Sequence, residues 1–206
     1  MLNANGLSCE RGDRQLFAGL SLALEAGGLA RLLGANGSGK TSLLRILAGL
    51  TRPAAGEVRW RGERIGDLAE EYGRELAYIG HAPALKDELT VAENLAFAAR
   101  LAGIVASGAQ LEAALEVLGM AMHAALPARV LSQGQKRRVS LARLALPGAP
   151  ALWLLDEPFA ALDEDGIGRV RALTEAHLAR GGMLVLTSHQ DVPVAAGSIQ
   201  TVTLGA

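Results

Sequence analysis

The chain has 206 residues, enough for one large α/β domain with a sizeable core and too few for two independent ones. Its formal net charge of −1, with a pI near 6.4, offers no general positive field for nucleic acid, and a single cysteine, Cys9, excludes an intrachain disulfide and suits a reducing compartment. Half of the residues are hydrophobic, yet each apolar stretch ends short of the roughly 18 residues a membrane span needs, and the N-terminus lacks the charged-then-apolar pattern of a signal peptide.

Residues 1–33 read as short alternating strands. LFAGLSLALEAGG (16–28) looks like a strand running into a glycine turn, and LARLL (29–33) like a short buried strand. GANGSGKT follows, and it fits the phosphate-loop pattern G-x-x-x-x-G-K-[ST] with Gly34, Gly39, Lys40 and Thr41 in the fixed places. Ala35, Asn36, Gly37 and Ser38 fill the variable places, and Ser42 comes next.

After the loop, TSLLRILAGL has leucines at helical spacing and ends at Gly49, so strand, loop and helix stand in the order the motif requires. Glycines permit close backbone approach, so that amide N–H groups converge on an anion, and the helix N-terminus adds roughly half a positive charge. Lys40 is then placed for the β- and γ-phosphates of a nucleotide, and the Thr41 hydroxyl for a bridging Mg²⁺.

TRPAAGEVRWRGERI (51–65) continues with turn residues and a further hairpin. The pattern then turns helical from about Glu88 to Leu146, with TVAE (90–93) as a capping box before NLAFAARLAG, and LEAALEVLGM (111–120) as a second helix. The segment of about 85–146 reads as a helical insert with its own task.

Within it, LSQGQKRR (131–138) holds a capping box of Ser132 and Gln135 heading another helix. A serine hydroxyl and a flexible Gly134 at that start make a second anion site, one that cannot easily serve the same phosphate from the same side as Lys40.

ALWLLDEP (151–158) is a buried strand that ends in Asp156 and Glu157, at the edge where open α/β sheets bind ligands. Asp156 suits Mg²⁺ and Glu157 a water that attacks the γ-phosphate, while a solvated turn is the plainer alternative. A helix near 164–180 and the apolar run of GMLVLTSH (182–189) follow, and two such continuous apolar strands indicate a mostly parallel sheet.

GANGSGKT, LSQGQ, LLDEP, AALD and TSH, in this order, resemble the nucleotide-binding domain of ABC transporters over nearly the whole chain. The resemblance implies an α/β P-loop NTPase fold: a mostly parallel core sheet, an antiparallel β subdomain and a helical signature subdomain, all within one nucleotide-binding domain spanning 1–206. It implies ATP and Mg²⁺ as ligands, and two copies paired head to tail with each ATP between one copy's phosphate loop and the other's signature helix. Ser132 and Gly134 would then meet a phosphate in trans, Asp163 would lie at the seam, and His189 would contact the γ-phosphate.

Three positions depart from that family's pattern. Gln133 stands where glycine is usual. Arg11 stands where an aromatic commonly stacks on adenine; a guanidinium stacks on a π face too, and a solvated turn arginine is the alternative. His81 stands after the next core strand in place of a glutamine that approaches Mg²⁺ and the attacking water, and packing beneath a partner-facing loop is the alternative reading.

YIGHAPALKDELTVAENL, LSQGQKRRVSLARL, LTSHQ and the short length resemble the ATP-binding subunit of the haem exporter of bacterial cytochrome c maturation. That implies a separate integral membrane subunit of the haem exporter permease type, membrane contact only through it, a place on the cytoplasmic face of the bacterial inner membrane, and no nucleic acid. An ABC subunit for another substrate and a nucleic-acid ABC ATPase stay open, although the long coiled coils or fused second ATPase usual in the latter are missing. A phosphate-loop kinase would have no reason to carry LSQGQ.

Overall fold

The computed structural model describes residues 1–12 and 14–205. The chain opens with β1 (Leu2–Arg11), β2 (Arg14–Leu24), β3 (Gly28–Leu33) and α1 (Lys40–Leu47). β4 (Ala55–Trp60), β5 (Glu63–Arg64), α2 (Ala69–Arg74) and β6 (Leu76–Ile79) follow. The helices α3 (Val91–Leu101), α4 (Gly108–Val117) and α5 (Gln133–Ala142) come next, then β7 (Leu152–Asp156), α6 (Glu164–Ala179), β8 (Met183–Thr187) and β9 (Ser198–Thr203).

Two sheets result. One has the order β2-β1-β4-β5 with antiparallel neighbours, and the other has the order β6-β7-β8-β3-β9 with every neighbour parallel. In the parallel sheet, successive side chains go to opposite faces. Leu152, Leu154, Met183 and Val185 pack toward the antiparallel sheet and α1, while Trp153, Leu155, Leu184 and Leu186 pack under the helices α3 to α6. Burial on both faces is why these strands read as unbroken apolar runs.

The expected capping boxes form. Thr90 and Glu93 cap α3 reciprocally, as do Ser132 and Gln135 at α5, and a third pair, Ser107 and Gln110, starts α4. The sequence gives no comparable signal for α2, which is only six residues long, or for β9, whose SIQTVT is largely exposed and mostly polar. β9 exists because β3 offers it a ladder of six parallel partners. Among the described residues no helix is long and apolar enough to cross a membrane.

α6 is fixed to the sheet through a histidine. His177 is 5% exposed and lies flat on Trp153, with ring centroids 3.7 Å apart and an interplanar angle of 9°. Gly182 is required beside it, because a Cβ there would occupy the imidazole ring. Burial pulls the His177 pKa from 6.5 down to about 4, opposed by a contact with Met183 O.

The native state therefore keeps His177 neutral while the unfolded chain protonates it below about pH 6.5, so this stability is present above 6.5 and lost as pH falls toward 4. The expected loss is about 2 kcal/mol between pH 7 and pH 5. Urea unfolding at both pH values checks it: His177→Phe, which keeps the stack but cannot titrate, should shift its midpoint less than the wild type does.

Candidate active site

The carboxyl ends of β6, β7, β8 and β3 lie side by side, and His81, Asp156, His189 and the phosphate loop follow them in that spatial order. They open onto a cavity of about 520 Å³. Asn36, Gly37, Gly39, Lys40, Thr41 and Ser42 line it from the phosphate loop and α1, and His81, Asp156, Glu157 and His189 line it from the ends of β6, β7 and β8. Arg11 also lines it, with Arg14 and Leu16 from β2, which the sequence does not single out.

The loop has the backbone its glycines allow. Gly34, Gly37 and Gly39 have φ of 144°, 78° and 104°. Gly39 also leaves room for Leu16 and Phe17, which would lie 3.1 Å from a Cβ there. Gly39 heads α1 with no side-chain cap and no acidic residue in the first turn, and Leu43 is the first amide bonded back into the helix, to Gly39 O at 2.8 Å. The amides of Lys40, Thr41 and Ser42 are thus unspent donors at a helix N-terminus, which suits an anion.

Lys40, 8% exposed, folds over the loop and donates to Gly34 O at 2.6 Å and Ala35 O at 3.1 Å. Behind the loop, Ser38 is buried with its hydroxyl unpartnered, and Leu204 O and Ser38 Oγ crowd the space beside Gly34. Leu204 N in turn donates to Leu33 O at 2.8 Å, so the segment after β9 braces the loop from behind.

The Asp156 carboxylate is held at both oxygens. Thr41 Oγ1 donates to Oδ2 at 2.8 Å, and Thr187 Oγ1 donates to Oδ1 at 2.7 Å. Thr187 Oγ1 also accepts from Glu157 N at 2.8 Å. Sequence reading passes over Thr187 because its role appears only when β7 and β8 pair, with Asp156 opposite Thr187.

Glu157 takes a left-handed backbone, φ 54°, a conformation that side chains rarely adopt and that gathers at working sites. Its Oε2 accepts from His189 N at 3.2 Å. Its Oε1 is buried without a hydrogen-bond partner, 3.5 Å from His189 Nε2. Glu157 lines the cavity, and a carboxylate there can accept a proton.

The remaining expected residues lie away from this cavity. Ser132 is exposed at the start of α5. Gly134 beside it is helical and not flexible as the sequence suggested: its glycine is needed because Ala161 O fills the place of a Cβ. Asp163 caps α6 through Gly166 N at 2.9 Å, and its carboxylate is 67% exposed.

The donor set also suits a small hard cation. Among the described residues no three His, Cys, Asp or Glu side chains gather as a metal cage. Thr41 and Asp156 offer two adjacent oxygens that are complete only with substrate oxygens and water, the usual manner of Mg²⁺ beside phosphates.

The profile of the family described as ABC transporter matches residues 17–160. This chain belongs to the ABC transporter family. It is 54% identical over 193 residues to the cytochrome c biogenesis ATP-binding export protein CcmA of Methylococcus capsulatus, covering 94% of this chain and 93% of that one. With the protein of the same name from Dechloromonas aromatica it shares 49% identity over 205 residues and 100% of both chains.

Among solved structures, an ATP-binding subunit of an ABC transporter superposes with a TM-score of 0.79 at 27% identity, covering 92% of this chain and 80% of that one. A dimeric ATP-binding cassette in a post-hydrolysis state with ADP and Pi superposes with a TM-score of 0.77 at 25% identity, covering 92% and 88%. The expected P-loop fold and the expected family are both borne out, and with them an ATP-binding, ATP-hydrolysing chain.

Proposed function

We propose that this chain is the ATP-hydrolysing subunit of an ABC exporter serving cytochrome c biogenesis, with haem as cargo. The observation that carries the reading is the unbroken match, about half identical from end to end, to relatives whose name states that export role. Residues 1–206 act as one nucleotide-binding unit on the cytoplasmic face of the bacterial inner membrane, and an integral membrane subunit of the haem exporter permease type supplies the path.

Within the cavity, the loop amides from Gly34 to Ser42 and Lys40 hold the phosphates, Arg11 and Arg14 frame the base, and Thr41 and Asp156 hold Mg²⁺, with His81 facing it. Mg²⁺ bound there would neutralise charge on the phosphate oxygens. Glu157 takes a proton from the attacking water, and His189, whose ring is exposed beside it, contacts the γ-phosphate. Ser132, Gly134 and Asp163 lie outside the cavity of their own chain and serve the nucleotide of a second copy, paired head to tail. The Mg²⁺ dependence of turnover in His81→Ala tests the role of that residue: an unchanged dependence removes it.

A tagged chain extracted from detergent-solubilised membranes is expected to bring an integral membrane protein with it. Cells that carry only the Lys40→Ala form should accumulate no holocytochrome c. Normal holocytochrome c in those cells, or a chain that purifies with nucleic acid and no membrane protein, would overturn the reading.

A further inference from the structure

Two arginines of α5 and the turn after it make their bonds away from the helix. Arg143 Nη2 donates to Tyr78 O, and Arg137 Nη1 donates to Gly80 O at 2.7 Å. Both acceptors lie on the open edge of the parallel sheet, where β6 is the last strand. Leu152 N bonds Glu75 O at 3.0 Å, so by the alternation of a strand the carbonyls of Glu75, Ala77 and Ile79 face β7, while those of Tyr78 and Gly80 face outward. Two guanidiniums stand where the amides of a further strand would stand, and they close the edge.

Arg137 reaches further than Arg143. Its Nη2 donates to Asp156 O, at the end of β7, and its Nη1 lies 3.4 Å from His81 O. One planar group therefore joins the end of β6, the loop that carries His81, and the strand end that carries Asp156 and Glu157. Arg137 is 3% exposed; burial lowers its pKa from the ordinary value, and the carboxylates of Asp156 and Glu157 oppose that shift. It remains a cation. Three residues before it on the same helical turn is Gly134, against which Ala161 O is packed.

We propose that Arg137 is a positioning residue: it ties the exposed start of α5 to the carboxylate end of β7, so that a displacement of α5 is passed to Asp156 and Glu157 of the same chain. This rests on the reading above, in which a nucleotide shared with a second copy engages Ser132 and Gly134. The fork geometry is the point, since a lysine ammonium cannot bond two diverging carbonyls in the same way.

Arg143 supplies the control, because it caps the same edge and makes no bond to β7. Arg137→Lys is expected to lower kcat about tenfold or more while the KM for ATP moves less than about threefold, and Arg143→Lys to keep kcat within about twofold at a similar loss of Tm. In a Glu157→Gln background, Arg137→Lys should still dimerise with ATP. Equal kcat losses in the two lysine variants, or wild-type kcat in Arg137→Lys, overturn the proposal. Should Arg137→Lys not fold, Arg137→Gln takes its place; if neither folds while Arg143→Lys does, Arg137 holds up the fold as a whole and the proposal fails. Absence of ATPase activity in the wild-type chain would strike the functional reading beneath it instead.

Discussion

Replacing Lys40 by alanine is expected to reduce ATP hydrolysis to background. Two losses combine. The ammonium sits over the phosphate loop, bonded at 2.6 Å and 3.1 Å to the carbonyls of Gly34 and Ala35, and it is the cation best placed to meet charge developing on the β- and γ-oxygens. Removing a single neutral donor from such a site costs about 10²- to 10³-fold in rate, and a buried cation facing phosphates contributes at least that much, about 3 to 4 kcal/mol. The same change leaves the two loop carbonyls without their donor, so the empty loop loosens as well. Phosphate release by the purified variant, with Tm recorded alongside, is the check. A rate within tenfold of the wild type would remove the phosphate-loop assignment, whereas a fall in Tm alone would leave only the bracing role.

The parts legible in the sequence are those whose chemistry is local. A phosphate loop, a capping box or a strand ending in two carboxylates is written in consecutive residues, and β3, α1, α3, α5 and β7 were all readable for that reason. The parts that stayed hidden depend on pairing across the chain. Thr187 holds Asp156 and the amide of Glu157 only because β7 and β8 are in register. Arg14 reaches the cavity because β2 turns back on β1, and the segment after β9 braces the loop from about 170 residues away in sequence, with no apolar run to announce it. Gly134 shows a third kind of limit. Its residue type suggested flexibility, whereas its reason is a carbonyl from Ala161, nearly 30 residues on.

Glu157→Gln is expected to leave ATP binding intact, slow hydrolysis by about 10²- to 10⁴-fold, and trap an ATP-bound dimer. The shapes are nearly equal, so the amide oxygen can keep the bond that Oε2 takes from His189 N, and the backbone at φ 54° need not change. What is lost is the second oxygen. Glu157 lines the cavity, with Oε1 3.5 Å from His189 Nε2, and as a carboxylate it can take a proton from water there. An amide NH₂ in that place can only donate. Binding is unaffected because the phosphates are met by the loop amides and Lys40, and Glu157 is not among those donors. With hydrolysis blocked, ATP persists between the copies and the closed pair accumulates, provided that Ser132 and Gly134 of one copy do face the nucleotide of the other. Light scattering at saturating ATP and single-turnover phosphate release separate these claims. Normal turnover removes Glu157 as the base; slow turnover by a chain that stays monomeric keeps the base and removes the two-copy site.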